Sequence, residues 1–169
     1  MKFDRQITIS VGSNRHDMAW QQSALTISEL YDRLSMPVRG TETLAEYMAM
    51  KKAQQDDLKD VGGFVGGALN GLRRKANNMI GRDIITLDFD NIPGWKTDMV
   101  IAKMEELGCG YAVYSTRKHT PSAPRLRVVI PFDRTVTPDE YEPCARRVAA
   151  HIGIGMADPT TFEVCRLMY

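Results

Sequence analysis

The chain has 169 residues, 43% of them hydrophobic, and this length and composition suit one compact domain around a single core. Charged residues make up 25% and the formal net charge is +1, which excludes a disordered polyelectrolyte and leaves any nucleic-acid binding to local basic patches. No apolar run reaches the roughly 18 residues of a membrane span and the N-terminus lacks a signal peptide, so we expect a cytoplasmic protein with no membrane partner.

The three cysteines, Cys109, Cys144 and Cys165, lie far apart in the sequence and form no CxxC pair. This spacing argues against a zinc cluster and against a disulfide framework. We therefore expect reduced thiols.

Four helices are predicted. Thr26, Thr43 and Thr137 are each followed three positions later by glutamate, the signature of a capping box at a helix N-terminus. The helix that begins at Thr137 is expected to stop at Gly153, because glycine often ends a helix. Apolar spacing predicts the fourth helix over residues 97–107.

Strands are predicted at residues 6–11, 64–68, 84–90, 110–115, 126–132 and 161–169. Residues 114–132 are typical of a hairpin, and the strands do not alternate regularly with helices. The pattern therefore favours an α+β sheet covered by helices over a doubly wound fold. Residues 1–169 are expected to form a single domain, and because the sequence ends inside a predicted strand we expect it to be a fragment of a longer protein.

Two acids, Asp88 and Asp90, end the apolar strand at residues 84–90. Residues two apart on a strand project to the same side, so both carboxylates can face one divalent cation or a pair of them. Two such ions can bind the attacking and leaving oxygens of a phosphoryl transfer. The alternative is that the two aspartates only cap a turn.

Polar and cationic side chains collect in the loop of the predicted hairpin. They are Ser115, Thr116, Arg117, Lys118, His119, Arg125 and Arg127. Guanidinium groups bind phosphate oxygens in pairs, so this loop suits a triphosphate held near the acids. The alternative is a solvated hairpin tip rich in cations.

A third acid is needed to complete a two-metal site, and two candidates exist. Asp133 follows a predicted strand and precedes Arg134, so we expect it to form a turn and pair with its neighbour. Asp158 lies between the helix that stops at Gly153 and the last predicted strand. A residue there can approach the first two acids, so we choose Asp158, although it too can be a plain turn residue before proline.

The order of these motifs, hhhDhD, then a Ser/His segment leading into a strand, then a late aspartate, resembles the archaeo-eukaryotic primase superfamily. The similarity is to the primase–polymerases of phages and mobile elements that precede virulence-associated-E-type helicases. It covers roughly residues 58–169. The segments that carry it are 59–67, 77–80, 85–91, 119–121, 124–131, 158–161 and 166–169.

This resemblance implies an RRM-like antiparallel or mixed sheet with helices, formed as a metal-binding core at residues 58–169 beside a smaller N-terminal α/β part at residues 1–57. It implies a DNA-dependent nucleotidyltransferase that adds nucleotides to a 3′-OH with Mg²⁺ or Mn²⁺. Its partners would be nucleoside triphosphates, a single-stranded DNA template and a helicase domain or protein, in the cytoplasm of a bacterial or phage-infected host.

The resemblance also assigns roles to single residues. Asp88, Asp90 and Asp158 match the first and third motifs and would be catalytic metal ligands. The nucleotide would be bound by Ser115, His119, Arg125 and Arg127. Here the chain departs from the pattern, because Ser115 and His119 are four positions apart rather than two, and Arg127 occupies the place of the histidine if the strand at Leu126 is the one that bears it.

Two other features have paired interpretations. Arg73, Arg74 and Lys75 would contact template phosphates, or form a solvated charge cluster. The glycines within residues 62–67 would let the backbone approach substrate, or form a tight turn with a bulge.

Two other classes of protein compete with the nucleotidyltransferase. One is a dehalogenase-like, Mg²⁺-dependent phosphatase, with Asp88 as nucleophile and Asp90 as acid. The other is a catalytically inactive, primase-like module that binds nucleic acid or protein. The intact acidic pair argues against the second, and the missing late pair of acids argues against the first.

Overall fold

The computed structural model describes residues 3–169, which form two antiparallel sheets with helices packed on them. Within these residues the strands are β1 (Gln6–Gly12), β2 (Gln21–Thr26), β3 (Gly63–Val65), β4 (Gly67–Leu69), β5 (Met79–Phe89), β6 (Ala112–Ser115) and β7 (Leu126–Val136). The helices are α1 (Ile27–Leu34), α2 (Leu44–Ala49), α3 (Lys52–Leu58), α4 (Thr97–Glu105) and α5 (Pro138–Ile152). No helix of the described chain is long and apolar enough to cross a membrane.

The first sheet has the strand order β2-β1-β3 and the second β4-β5-β7-β6. Buried Asp83 of β5 joins them: it accepts hydrogen bonds from the backbone N–H of Thr8 in β1 (2.7 Å) and the hydroxyl of Thr135 in β7 (2.6 Å), and it pairs with Arg5 (2.9 Å). Antiparallel sheets with helices packed on them confirm the predicted α+β class.

Strand β5 is buried on both faces. Ile85, Leu87 and Phe89 belong to the core that includes α4 and α5, whereas Ile84 packs with residues of the first sheet such as Ile9. Alternation along a strand produces this division, since successive side chains point to opposite faces. The end of β5, with Asp88, is therefore buried in the core.

The capping boxes begin helices where the sequence predicts them. The hydroxyls of Thr26, Thr43 and Thr137 each accept a hydrogen bond from the backbone N–H of the glutamate three positions on, and that glutamate caps the threonine in return. Helix α5 ends at Gly153, whose φ of 137° lies in the region that favours glycine. These helix predictions are confirmed.

Residues 161–169 do not form the predicted strand. A short 3-10 turn, Pro159–Phe162, takes up part of the segment, and Met168 makes only an isolated bridge to Phe64. The physical reason is that backbone groups pair locally in turns: the N–H groups of Thr161, Glu163 and Arg166 each donate to the carbonyl oxygen three positions earlier, at 2.9, 3.2 and 2.9 Å. The apolar residues of the segment pack without a ladder: Met168 lies in the cluster of the first sheet with Phe64, and Leu167 packs with Val65 and Leu69.

The predicted strand at residues 64–68 is two strands, divided at Gly66 between the two sheets. A Cβ at Gly63 or Gly67 would collide with the carbonyl oxygen of Met168 or Gly81, and the β4–β5 register shifts at Ala68. The close approach of the glycine run is therefore to the protein's own backbone, and the turn-and-bulge interpretation holds.

A buried arginine links the second sheet to α5. Arg82 of β5 is fully buried and donates to the hydroxyl of Tyr141 in α5 (3.1 Å) and to the carbonyl oxygen of Val164 (2.6 Å). Its guanidinium also lies 3.9 Å from the Tyr141 ring centroid. Burial lowers the pKa of Arg82, and the Tyr141 hydroxyl partly compensates.

We expect Tyr141→Phe to lower the free energy of unfolding by about 1.5–3 kcal/mol, because it removes a hydrogen bond to a buried charged group. Urea unfolding should show a lower midpoint with an unchanged slope. The matched control is Tyr111→Phe, at a partly exposed tyrosine, which should change little. Equal midpoints for Tyr141→Phe and wild type would contradict this account of Arg82.

Candidate active site

Asp88 and Arg127 form a buried ion pair across two neighbouring strands. They are directly opposite each other in the β5–β7 register, and Arg127 Nε donates to Asp88 Oδ1 at 2.7 Å. The side chains are 6% and 11% exposed. Burial opposes the charge on Arg127, but Asp88 and Tyr114 outweigh it and raise the Arg127 pKa above its ordinary value.

A second arginine, Arg166, bridges two of the acids. Its Nη2 lies 3.1 Å from Oδ2 of Asp88 and 3.1 Å from Oδ2 of Asp158. The Asp158 backbone N–H also donates to the Asp88 carbonyl oxygen at 2.9 Å. Sequence reasoning chose Asp158 as the third acid, and the structure places it beside Asp88.

The environment of Asp158 favours its charged form. Partial burial raises the pKa of Asp158, but the backbone N–H and the hydroxyl of Thr160, each 2.8 Å from Oδ1, and the Arg166 guanidinium outweigh burial, so the net shift is downward. Asp158 is thus a carboxylate at neutral pH.

The remaining acid of the set, Asp90, pairs with Arg125. Arg125 Nη1 lies 2.7 Å from Asp90 Oδ2, and both side chains are about one-third exposed at 35% and 32%. This pair extends the register that sets Asp88 opposite Arg127, so two acids two positions apart meet two arginines two positions apart. Each of the two acids has its own guanidinium partner.

The competing acid, Asp133, lies elsewhere. It is exposed within β7, in the stretch between Pro131 and Val136 where the β5–β7 register is irregular, and not in the expected turn. Its neighbour Arg134 pairs with Glu140 at 2.7 Å rather than with Asp133. The expectation of an Asp133 turn paired to Arg134 is therefore wrong, because β7 continues to Val136 and α5 supplies the better partner.

The structure shows what His119 and Ser115 contact. The Arg125 backbone N–H donates to Nδ1 of His119 at 3.1 Å, and the Thr116 N–H donates to the Arg125 carbonyl oxygen at 3.1 Å. Ser115 is the exposed last residue of β6. His119 thus holds the loop at residues 116–125 around Arg125, and a nucleotide contact by Ser115 or His119 stays a prediction.

The other cations of that loop contact the segment that contains α2. Arg117 pairs with Glu42 and lies 4.6 Å from the Tyr47 ring centroid, and Lys118 lies 5.8 Å from the same centroid. Both therefore attach the loop to α2.

The three cations at residues 73–75 differ in their surroundings. Arg74 is half-buried, donates to the Cys165 carbonyl oxygen at 3.0 Å and lies 5.5 Å from the Trp20 ring centroid. Arg73 and Lys75 are exposed. Arg74 has a packing role in this arrangement, and template contact by the run stays a prediction.

Two residues of the site escaped sequence reasoning. Arg166 was interpreted as part of a strand, although a lone arginine in an apolar segment was a signal for a buried acid. Thr161 is fully buried, and its hydroxyl accepts the N–H of Asp88 at 2.8 Å and donates to the Thr86 carbonyl oxygen at 3.3 Å. A local motif does not reveal such a contact.

We call Asp88, Asp90, Asp158, Arg125, Arg127 and Arg166 the acid–arginine cluster. Three carboxylates face three guanidinium groups, so the cluster is close to neutral. Among the described residues, no three His, Cys, Asp or Glu side chains are grouped to hold a metal ion as they stand. Carboxylate oxygens are nonetheless the ligands that Mg²⁺ prefers, and those of Asp88 and Asp158 already converge on one cationic nitrogen of Arg166. The donor chemistry fits a divalent cation there.

Fold and site together define an α+β domain with acids and arginines at the edge of an antiparallel sheet. The family model described as the VapE N-terminal domain matches residues 1–169, so the chain belongs to this family. The match confirms the resemblance to primase-like domains associated with virulence-associated-E proteins.

Among solved structures, the chain is similar to the AEP domain of the cyanophage S-2L primase–polymerase. The identity is 14%, the match covers 96% of this chain and 70% of that one, and the TM-score is 0.46. A comparison with curated proteins gave no match.

The two cross-strand ion pairs of the cluster, Asp88–Arg127 and Asp90–Arg125, should contribute differently to the stability of the protein. We expect Arg127→Met to lower the free energy of unfolding by about 3 kcal/mol, because it removes the guanidinium group that pairs with the buried Asp88 carboxylate. Arg125→Met should lower the free energy of unfolding by about 1 kcal/mol or less. Its ion pair has the same 2.7 Å length, but the two side chains are about one-third exposed. Urea unfolding of both variants measures the difference, and equal losses would contradict the role given to burial.

Proposed function

We propose that this domain is a DNA-dependent nucleotidyltransferase, a primase or polymerase that extends a 3′-OH in phage or mobile-element replication. The observation that carries the proposal is the acid–arginine cluster at the end of β5. There, carboxylates for metal ions and guanidinium groups for phosphates lie in contact with one another.

Charge balance supports a nucleoside triphosphate with divalent cations as the ligand of the cluster. A cluster that is neutral by itself gains little from a lone divalent cation or a lone anion, because either one leaves charge uncompensated. A nucleoside triphosphate carries roughly four negative charges, and two divalent cations cancel them. Triphosphate and metal together are therefore the ligand that preserves neutrality, with acids turning to the metal and arginines to the phosphates.

Roles follow from the contacts. Asp88, Asp90 and Asp158 would hold Mg²⁺ or Mn²⁺, which when bound lowers the pKa of the attacking hydroxyl and neutralises charge on the phosphates. Arg125 and Arg127 would grip the triphosphate once the acids release them. Thr161 fixes the backbone of Asp88 by its 2.8 Å hydrogen bond, which keeps the carboxylate in place.

Other partners are proposed from the family and the surface. A single-stranded DNA template would be contacted by exposed cations such as Arg73 and Lys75, with Ser115 and His119 near the incoming nucleotide. The VapE N-terminal domain family suggests a helicase domain or protein as the neighbour.

A catalytically inactive binding module is the second candidate. It is favoured by the fact that both Asp88 oxygens are bound by guanidinium groups, Arg127 on one and Arg166 on the other. The phosphatase alternative has less support, since its nucleophile would be Asp88, whose side chain is only 6% exposed. Metal-dependent primer extension separates the enzyme from the inactive module.

In primer extension with Mn²⁺, we expect Asp158→Ala to reduce the rate by about a hundredfold or more, since a ligand lost from a two-metal site acts mainly in the transition state. Asp133→Ala is the matched control and should keep most activity, because Asp133 is exposed elsewhere on β7. A dead Asp133 variant with an active Asp158 variant would show the third ligand to be misassigned.

Arg166 holds the position of a cation between Asp88 and Asp158. We therefore expect Arg166→Gln to bind Mn²⁺ about tenfold more tightly than wild type in calorimetry, because the two carboxylates lose their counter-charge. The control is Arg134→Gln, which removes an exposed cation that pairs with Glu140. Weaker Mn²⁺ binding by the Arg166 variant would contradict this role.

A further inference from the structure

An exposed tryptophan follows Asp90, one acid of the acid–arginine cluster, in the chain. Trp95 lies on the loop that leaves β5 after Asp90, and it is 75% exposed. The chain's other tryptophan, Trp20, is 2% exposed. A large aromatic surface left in water, with no role in the core, calls for a functional explanation.

The backbone of Trp95 is strained. Among residues 3–169 it is the one non-glycine residue with a positive φ, at 63°. A bulky side chain rarely adopts this conformation, and such residues persist only where the surroundings fix them. Since the indole is exposed, burial of the ring does not offset the strain.

Neighbouring backbone holds Trp95 in this conformation. Its N–H donates to the Pro121 carbonyl oxygen at 2.7 Å. The preceding Gly94 packs so closely that a Cβ there would lie 2.7 Å from the Ser122 carbonyl oxygen. Two contacts with the loop at residues 116–125 thus present the indole on a rigid support.

That support belongs to the proposed site. The loop at residues 116–125 ends at Arg125, the partner of Asp90, and Trp95 is five residues beyond Asp90. Five residues span at most about 18 Å, so a ligand that reaches the cluster also reaches the indole if it is a few nucleotides long.

The surroundings are basic. The pKa of Lys118 is lowered by burial and by the neighbouring charges of Lys52, Arg125 and Lys59. These cations, opposed by the single carboxylate of Asp56, mark a positive field at the loop at residues 116–125, which attracts phosphates. Exposed Lys96 directly follows Trp95.

We propose that Trp95 is a stacking platform for a nucleobase, with Lys118 and Arg125 meeting the phosphates attached to that base. Base–aromatic stacking accepts every base, because each has a π-face, and it is combined with a positive groove in proteins that hold single strands. The proposal rests on the proposed function for its ligand class, but it concerns binding alone. The base belongs either to the template strand or to the incoming nucleotide.

Intrinsic fluorescence tests this, because only one of the two tryptophans is exposed. The probes are a short oligothymidylate and a non-hydrolysable thymidine triphosphate with Mg²⁺, titrated against wild type, Trp95→Phe and Trp95→Gly. Anisotropy of a labelled oligothymidylate, and calorimetry for the nucleotide, measure binding independently of the indole. Urea unfolding measures the stability of each variant.

We expect quenching in wild type and none in either variant, where only buried Trp20 remains. Trp95→Gly should bind at least about fivefold more weakly than wild type, with Trp95→Phe in between, because phenylalanine still stacks. Trp95→Gly should unfold at an equal or higher urea concentration, since glycine relieves the strain. Quenching by the oligonucleotide assigns the template strand, and quenching by the triphosphate assigns the incoming nucleotide.

Three results would overturn the proposal: no binding of either probe by wild type, binding without quenching, or equal affinity for wild type and Trp95→Gly. Failure of the proposed function is seen separately, as absence of metal-dependent primer extension. If Trp95 fluorescence is quenched and binding depends on Trp95 but primers are not extended, the stacking site stands and the proposed enzymatic function fails.

Discussion

The ion pair between Asp88 and Arg127 is the constraint on which the rest of the site depends. A carboxylate in a strand buried on both faces is tolerated only with a partner, and the β5–β7 register supplies one directly opposite at 2.7 Å. Arg127 is fixed in turn by the carbonyl oxygen of Tyr169, at 2.8 Å from its Nη1. The C-terminal segment is thereby tied to the sheet, which brings Arg166 and Asp158 to the same point.

The near-neutral charge of the cluster decides which ligand suits it. Each acid of the cluster meets a guanidinium group, and each guanidinium group is a latent phosphate ligand. In the function we propose, an incoming triphosphate with its metal ions would exchange one set of ion pairs for another, so the site would move between two balanced states. The polar network therefore suits a ligand that arrives with both charges, and we propose that the strained Trp95, which contacts the loop leading to Arg125, suits the base that such a ligand carries.

The three acids of the cluster, and Arg125 and Arg127, could be predicted from the sequence because their signals are local. Capping threonines, alternation along β5 and the hairpin pattern predict the elements, and Asp88 and Asp90 follow from an apolar strand end. Arg166 was missed, since its contact with Asp88 joins residues far apart in sequence. Strand β2 and helix α3 were missed because Gln21–Thr26 and Lys52–Leu58 are largely polar and show little apolar periodicity. Tertiary contacts, not local patterns, decide such segments.

The central claim is that metal and triphosphate bind as one neutral unit. Calorimetry with Mn²⁺, in the absence and presence of a saturating non-hydrolysable nucleoside triphosphate, tests it most directly. We expect weak Mn²⁺ binding alone and at least about tenfold tighter binding with the nucleotide. The nucleotide should gain the same factor in affinity from Mn²⁺, because binding linkage is reciprocal. Mn²⁺ affinity that is unchanged by the nucleotide, or no Mn²⁺ binding in either condition, would contradict it.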